Sequence, residues 1–476
     1  MSNFSSRQDR DDMHEILRAY NNLKMGRNHT FIREEDFERL IDYFDDKEDL
    51  PAAIEASENA IHQYPYSASL LLKKADLQIA GRKYQEALDT LAQAELYDSN
   101  DITLYILKTD AFLALDMHES AVELLERALD NFEGDERIEL LFELADVYDD
   151  YEDFQKVFEC LKLVLEDDPV NEEALTKICF WADFTGRSQE SIKLHQGIID
   201  NCPFNELAWF NLATAFQGLK LYEKAIDAYQ YAIAIDEKFD VAYRNMGDAF
   251  IRIRKYKDAI EALEKVLELC RPEDVIHEAI GHCFHKMNNF AQARFHYRKA
   301  SHLNPDDSKL YYKIALTYFK ENQIESAVKQ LDSAMRILRM HPEYNLLMGE
   351  CKLQQGKIKD AVIFFSNVVR VRPKNASGWE ALIRCLVKAS FYEEAAEQTL
   401  HAIEATNGKP LFLFYYSAIL FGLGKSKEGL LQLEKALQLN QKMLKKFIEL
   451  QPYLLRNPNV VDVIVKYKGK KPSKQI

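Results

Sequence analysis

The sequence repeats with a period of 34 residues, and this period restricts the chain to a narrow range of folds. A small residue recurs at the twentieth position of successive units, and a small or β-branched residue follows seven positions later. The recurring alanines are Ala53, Ala87, Ala121, Ala225, Ala259, Ala293, Ala327, Ala361 and Ala395. A fixed period of this length is typical of stacked helical units, each of which buries its apolar face only against its neighbours.

One unit shows how the period produces a pair of helices. Trp209, Leu212 and Phe216 follow the three- and four-residue spacing of one face of an amphipathic helix. The helical pattern ends near Gly218, and a second apolar stripe begins at Tyr222. Proline follows the second helix in five units, where it stops the helix and turns the chain: Pro65, Pro169, Pro203, Pro305 and Pro373.

This pattern resembles the tetratricopeptide repeat (TPR) family, whose units combine W-x2-LG-x2-Y with A-x3-F-x2-A and a closing proline. The strongest matches are residues 209–232, 243–266 and 277–305, and the resemblance covers residues 34–443. It implies an all-α fold, an α-α solenoid that winds as a right-handed superhelix of about twelve 34-residue helix-turn-helix repeats. In the third and fifth repeats Thr109 and Cys179 replace the small eighth residue, so we expect looser packing there.

The period divides the chain into three segments. Residues 1–33 form an N-terminal extension in which Met13, Ile16, Leu17 and Tyr20 predict a short capping helix. Residues 444–476 are expected to hold C-terminal capping helices and a basic tail. A two-residue slip near Glu136, in an expected acidic turn, interrupts the period once. The predicted repeats in residues 34–443 are 34–67, 68–101, 102–135, 138–171, 172–205, 206–239, 240–273, 274–307, 308–341, 342–375, 376–409 and 410–443.

Composition favours a cytoplasmic protein without membrane insertion. The longest apolar run, residues 411–423, is shorter than the roughly 20 residues that span a bilayer. The seven cysteines form no CxxC motif, and the first residues carry charges where a secretory signal would be apolar.

Negative charge is concentrated in the first part of the repeat array. Residues 34–171 contain 37 acidic against 11 basic residues, whereas residues 274–476 contain 19 acidic against 31 basic ones. The ninth position, which lines the concave groove in proteins that this chain resembles, is acidic in four successive repeats: Asp42, Asp76, Asp110 and Asp146. Such a row attracts a basic partner segment and repels nucleic acid, although a plain solvated helix face also tolerates it.

Aromatic and amide residues mark a second candidate binding site in the central groove. Phe180, Phe184 and Phe210 are not needed for the predicted core, and exposed aromatics often anchor interfaces. Asn211 and Asn245 occupy the sixth position of successive repeats, which resembles the asparagine ladder that holds a peptide backbone in some TPR proteins. The alternative is that the aromatics pack against loops or caps. The lysine and asparagine pattern of the chaperone-type carboxylate clamp is missing.

No catalytic residue, cofactor site or metal site is predicted. His282 and His285 share one helix face, but a metal site needs a third convergent ligand, and polar groove residues are the commoner interpretation. The sequence therefore predicts a non-enzymatic scaffold that binds segments of partner proteins, basic or extended ones included. Self-assembly into homo-oligomers is the alternative, and an RNA-associated helical repeat protein is a third class that the strict period disfavours.

Overall fold

A computed structural model describes residues 7–25 and 31–467 of the chain, and all regular structure in these residues is helical. It comprises 27 α-helices and two short 3-10 helices. The prediction of an all-α chain of tandem helix pairs is confirmed, while the handedness of the superhelix stays a prediction. The predicted basic tail, residues 468–476, lies outside the described residues.

The helices between residues 34 and 439 alternate between two kinds, which we call A helices and B helices. The A helices are α2 Glu34–Asp45, α4 Ala68–Ala80, α6 Ile102–Ala114, α8 Gly134–Asp150, α10 Glu172–Phe184, α12 Glu206–Gly218, α14 Asp240–Arg252, α16 Asp274–Lys286, α18 Ser308–Lys320, α20 Pro342–Gln354, α22 Ala376–Lys388 and α24 Pro410–Gly422. The B helices are α3 Leu50–Gln63, α5 Tyr84–Glu95, α7 His118–Ala128, α9 Phe154–Asp167, α11 Ser188–Asn201, α13 Tyr222–Ile235, α15 Tyr256–Leu269, α17 Phe290–Leu303, α19 Ile324–Ile337, α21 Ile358–Val371, α23 Tyr392–Ala405 and α25 Ser426–Leu439.

Several A helices begin after a residue whose side chain satisfies one of their free N–H groups. The Ser67 hydroxyl, for example, accepts a hydrogen bond from the N–H of Leu70, and the Asn205 side chain accepts one from Ala208. The helix α8 differs, because it starts at Gly134 and is 17 residues long. The expected acidic turn at this place is therefore wrong: Asp135 and Glu136 form the first turn of α8, where negative charge is favoured by the helix dipole.

A left-handed residue turns the chain from each A helix to the following B helix. Positive φ angles occur at five glycines, of which Gly186, Gly356 and Gly424 lie in these turns. Nine other turns use residues with a side chain: Glu48, Arg82, Asp116, Glu152, Lys220, Arg254, Asn288, Asn322 and Ser390. This conformation costs a residue with a side chain about 1–2 kcal/mol, so the turn geometry is imposed by the packing of the helices.

Small residues let the helices of a pair approach closely. All nine recurring alanines of the twentieth position are fully buried. At Gly349 of α20 an added Cβ would lie 2.5 Å from the ring of Phe365 in α21, so only glycine fits there. As expected, the pairs that carry Thr109 and Cys179 are packed less closely than α12 and α13. The pair α22 and α23 is packed no more closely than the pair that carries Thr109, so looser packing is not confined to the two predicted places.

The contacts between Cα atoms divide the chain into two compact units, the first ending at Ala242 and the second beginning at Tyr243, within α14. In the first unit, the 18-residue helix α1, Arg7–Lys24, buries Met13, Ile16 and Tyr20 against α2 and α3. This helix is longer than the short cap predicted for the N-terminal extension.

The second unit ends in short helices that cover the last pair. After α25 the chain forms a 3-10 turn, Gln441–Met443, then α26, Leu444–Leu450, a second 3-10 helix, Pro452–Arg456, and α27, Pro458–Tyr467. Phe447, Leu454 and Val460 are buried from these elements against α24 and α25. The apolar end of the array is thereby removed from water.

Candidate functional site

The first unit contains an open, mostly apolar pocket of about 470 Å³ between α10 and α12. This volume lies in the range of about 300–1,000 Å³ that is common for ligand pockets. Four of the predicted site residues line it: Phe180, Phe184, Phe210 and Asn211. The other lining residues, which the sequence analysis did not single out as site residues, are Thr176, Cys179, Asp183, Leu207, Thr214, Phe239 and Val241.

Two exposed phenylalanines form one wall of this pocket. Phe180 and Phe184 lie one turn apart on α10 and expose 59% and 60% of their surface. Their rings are stacked, with centroids 5.9 Å apart and an angle of 19° between the planes. Trp181 and Phe154 support them from the side, at centroid distances of 4.9 Å from Phe180 and 5.1 Å from Phe184 respectively. The aromatic surface is therefore held in place although it faces solvent.

Phe210 forms the opposite wall, from α12. It is half-buried, and its ring lies 5.0 Å from that of Phe239, which follows α13. Below these rings the Cys179 thiol is hydrogen-bonded with Thr214, and burial raises its pKa to about 11. This thiol is therefore protonated and uncharged at neutral pH, which keeps the floor of the pocket free of a thiolate.

Asn211 is directed into the core, which corrects the expectation that it offers a whole amide to a peptide backbone. The residue is 2% exposed. Its Nδ2 group donates to the carbonyl oxygen of Leu175, at 2.7 Å, and to Nε2 of His195, at 3.2 Å. Both N–H bonds are thus used, and Oδ1 is left buried without a hydrogen-bond partner. Asn245, the second predicted rung, is half-buried in the second unit.

The orientation of Asn211 depends on His195, a residue that the sequence analysis missed. His195 is fully buried, and its Nδ1 donates to the Ser191 carbonyl at 2.7 Å, so Nε2 is the acceptor for Asn211. Burial lowers the pKa of His195 to about 4, and the ring is therefore neutral at physiological pH. A signal was present in the sequence: His195 stands where most equivalent positions carry Leu, Tyr or Phe, as at Tyr229.

The four predicted aspartates are all exposed on A helices of the first unit. Asp42 forms an ion pair with Lys73, and Asp146 lies 4.0 Å from Lys177. Partial loss of hydration is the main cause that raises the pKa of Asp110, and the negative charge of Asp76 raises it further. The charge of Asp76 therefore acts on Asp110 of the next A helix, as expected for a row of negative charge.

Glu143 belongs to this row but was missed from the sequence, because it lies on α8 three residues before Asp146. It is half-buried. Burial, and then the charges of Asp110, Asp146 and Glu139, raises its pKa to about 7. We define the acidic row as Asp42, Asp76, Asp110, Glu143 and Asp146. Lys177 of α10 lies 4.0 Å from Asp146, at the end of the acidic row. Thr176 and Phe180 of the same helix line the pocket, so the row ends next to the pocket.

Neither a metal-binding cluster nor a membrane-spanning helix occurs in the described residues. Within residues 7–25 and 31–467, no three His, Cys, Asp or Glu side chains are grouped as a metal ion would require. His282 and His285 are half-buried, and burial, followed by nearby lysines, lowers the pKa of each. No helix of the described part combines the length and apolar character needed to cross a membrane.

Comparisons with known proteins agree with the helical repeats. The model of the C-terminal ARM domain of tetratricopeptide repeat protein 21 matches residues 205–350. No curated protein matches the sequence significantly.

Solved structures of helical repeat proteins are similar to the chain at low identity. The C-terminal part of a TPR repeat-containing protein from Cytophaga hutchinsonii is 15% identical, covers 54% of this chain and 99% of its own, and has a TM-score of 0.44. A chain of the APC/C hetero-tetramer Cut9-Hcn1 is 11% identical, covers 82% of this chain and 97% of its own, and has a TM-score of 0.36. YrrB, a TPR protein with an unusual peptide-binding site, is 17% identical, covers 39% of this chain and 96% of its own, and has a TM-score of 0.35.

Proposed function

Because this chain is a helical-repeat protein of the TPR type, we propose that it is a non-enzymatic scaffold that binds a segment of a partner protein. The proposed binding surface is the pocket between α10 and α12 together with the acidic row on the preceding A helices. The observation that carries the proposal is the exposed, supported pair of rings, Phe180 and Phe184, beside an open apolar pocket.

The aromatic pair would supply most of the binding energy. Single exposed apolar residues are common on protein surfaces, but two stacked rings beside a pocket offer a partner a preformed apolar site. Aromatic residues in such places commonly dominate the free energy of binding. Both rings are already held by Trp181 and Phe154, so little conformational entropy would be lost when a partner binds.

The acidic row would act mainly on the rate of association. Its four aspartates are exposed, and screening by water and salt makes each exposed ion pair worth only about 0–1 kcal/mol. A row of like charges nevertheless attracts a basic segment over a distance and accelerates its encounter with the surface. The partner segment is therefore proposed to be basic next to the residue that enters the pocket.

The experiment is capture of partners from an extract of cells that express the protein, with the full chain immobilised. Wild type is compared with the double variant Phe180→Ala/Phe184→Ala, and bound proteins are quantified by mass spectrometry. The matched control is Phe204→Ala, because Phe204 is 84% exposed in the same unit but does not line the pocket between α10 and α12. Circular dichroism verifies that all variants are folded.

A partner that is lost from the double variant and retained by the control supports the proposed site. Retention of every partner by the double variant would remove the pocket from the proposal. Light scattering on the isolated chain addresses the alternative of self-assembly, since a scaffold without its partner is expected to stay monomeric at all concentrations tested.

A further inference from the structure

The pocket between α10 and α12 has an unusual chemical lining. Seven of its eleven lining residues are apolar or a protonated thiol, and Asp183 is the single charged residue among them. Neither lysine, arginine nor histidine lines it. The Asp183 carboxylate lies beside α12, because an added Cβ at Gly218 would be 3.3 Å from its Oδ1. The pocket therefore combines aromatic walls with one negative charge.

Two hydrogen-bond acceptors in this lining have no donor. The Asp183 side chain is exposed, and in the described part of the chain its carboxylate forms neither an ion pair nor a hydrogen bond. The Oδ1 atom of Asn211 is buried and equally without a partner. Rotating the amide would not help, because Oδ1 would then face the carbonyl oxygen of Leu175, which is an acceptor itself. For the buried Oδ1 of Asn211 the missing donor is costly, whereas the exposed carboxylate of Asp183 is hydrated by water. A ligand that displaces this water must bring N–H groups of its own.

The walls restrict the kind of donor. An aliphatic side chain would fill the apolar space but would displace water from the Asp183 carboxylate without offering a donor, which disfavours it. A lysine ammonium is a compact and strongly hydrated charge, so it loses more hydration than a guanidinium group does when it enters an apolar pocket. A guanidinium group is planar, stacks on aromatic faces and carries five N–H donors, so it can contact the rings of Phe180 and Phe184 and the oxygens of Asp183 together.

We propose that this pocket selects an arginine side chain of the partner segment. The inference rests on the proposed function, which places a partner segment on this surface, and adds the residue that is recognised. The guanidinium group stacks on the exposed rings of Phe180 and Phe184 and donates hydrogen bonds to Asp183. The negative charge of the preceding repeats, 37 acidic against 11 basic residues in 34–171, favours a cation at this place.

The test uses a set of fluorescein-labelled peptides, Lys-Gly-Ser-X-Ser-Gly-Lys with an amidated end, in which only X changes. X is arginine, lysine, citrulline, leucine or tryptophan. Citrulline has the shape of arginine without its charge, and the flanking lysines are common to all peptides. Binding to the full-length chain is measured by fluorescence anisotropy. The arginine peptide is expected to bind about fivefold more tightly than the citrulline and leucine peptides, as one half-exposed charged pair allows.

Variants link this preference to the pocket. Asp183→Asn is expected to weaken binding of the arginine peptide about fivefold and to leave the citrulline and leucine peptides unchanged. The matched control is Asp200→Asn, which removes an exposed carboxylate of the same unit outside the pocket and should change nothing. Phe180→Ala/Phe184→Ala should weaken the arginine peptide as well, through loss of the stacked rings.

The outcomes separate this inference from the proposed function. If leucine or tryptophan binds best, and the double phenylalanine variant abolishes that binding, the choice of arginine is wrong while the binding site stands. Equal affinities for arginine and lysine, or a preference that survives Asp183→Asn, also overturn the selection of a guanidinium group. If no peptide shows binding that depends on Phe180 and Phe184, both the inference and the proposed site fail.

Discussion

Replacing Gly349 by alanine is expected to destabilise the pair α20 and α21, although alanine is the better helix former. An added Cβ would lie 2.5 Å from Cε1 and 2.7 Å from Cδ1 of Phe365. The ring is 1% exposed and cannot turn aside without disturbing the core. Such overpacking costs about 1–3 kcal/mol. Removing a glycine from a helix interior returns about 1 kcal/mol at most, so the net loss is between about 0 and 2 kcal/mol.

Gly197→Ala is the matched substitution, with the opposite expected sign. Gly197 lies inside α11, and an added Cβ there would meet no atom within 4 Å. Only the gain in helix propensity remains, which stabilises by about 0.5–1 kcal/mol. The same chemical change at two helical glycines should therefore differ by about 1–3 kcal/mol, and the difference measures the close approach of α20 and α21.

Hydrogen exchange followed by mass spectrometry is the suitable assay, because helical arrays open segment by segment and one melting temperature does not describe them. Amides of α20 and α21 should exchange faster in Gly349→Ala, and those of α11 should exchange more slowly in Gly197→Ala. A tenfold change in exchange corresponds to about 1.4 kcal/mol. If Gly349→Ala slows exchange in α20 as much as Gly197→Ala does in α11, the described contact between Gly349 and Phe365 is wrong.

Three further predictions concern the turns, the buried histidine and the acidic row. Gly356→Ala places a side chain on a residue with φ of 75° and should cost about 1 kcal/mol, read as faster exchange next to the turn; unchanged exchange would argue against the left-handed turn. The pKa of His195 is lowered from 6.5 to about 4, so as pH falls the unfolded chain binds this proton before the folded chain does. A free energy of unfolding on the order of 3 kcal/mol should therefore be present above pH 6.5 and be lost as pH falls towards 4. The variant His195→Gln should show a weaker pH dependence of exchange in α11, and an identical pH dependence would contradict a neutral buried ring. Asp76→Asn/Asp110→Asn should slow association of the captured partner in stopped-flow measurements and reduce its salt dependence, whereas identical kinetics would return the row to a solvated face.

The helical fold could be predicted from the sequence because its determinants are local and repeated. Alanines such as Ala225 and Ala259 recur where two helices touch, and each is fully buried. The start of α8 could not be predicted in the same way, since Gly134 and the acidic residues after it also fit a turn. The helix forms because the acidic residues stabilise its N-terminal turn. Gly134 adopts a φ of 63° at the start of this helix.

The candidate site was only partly predictable, because its details depend on contacts between helices. Phe180 and Phe184 stood out as aromatics outside the core pattern, and the structure brings them into one pocket with Phe210. The inward orientation of Asn211 depends on His195, which lies on a different helix, so a reading of one helix at a time missed it. Whether these residues bind a partner stays a prediction.

The contacts between neighbouring pairs also bear on how the chain folds. Helix contacts in each unit join elements that are close in sequence, such as α10 with α12 or α24 with α26. Closing such short loops costs little entropy, and chains with mainly local contacts fold quickly. Any pair can then act as a nucleus on which its neighbours assemble, and pairs of the first unit can form during synthesis before the second unit has left the ribosome.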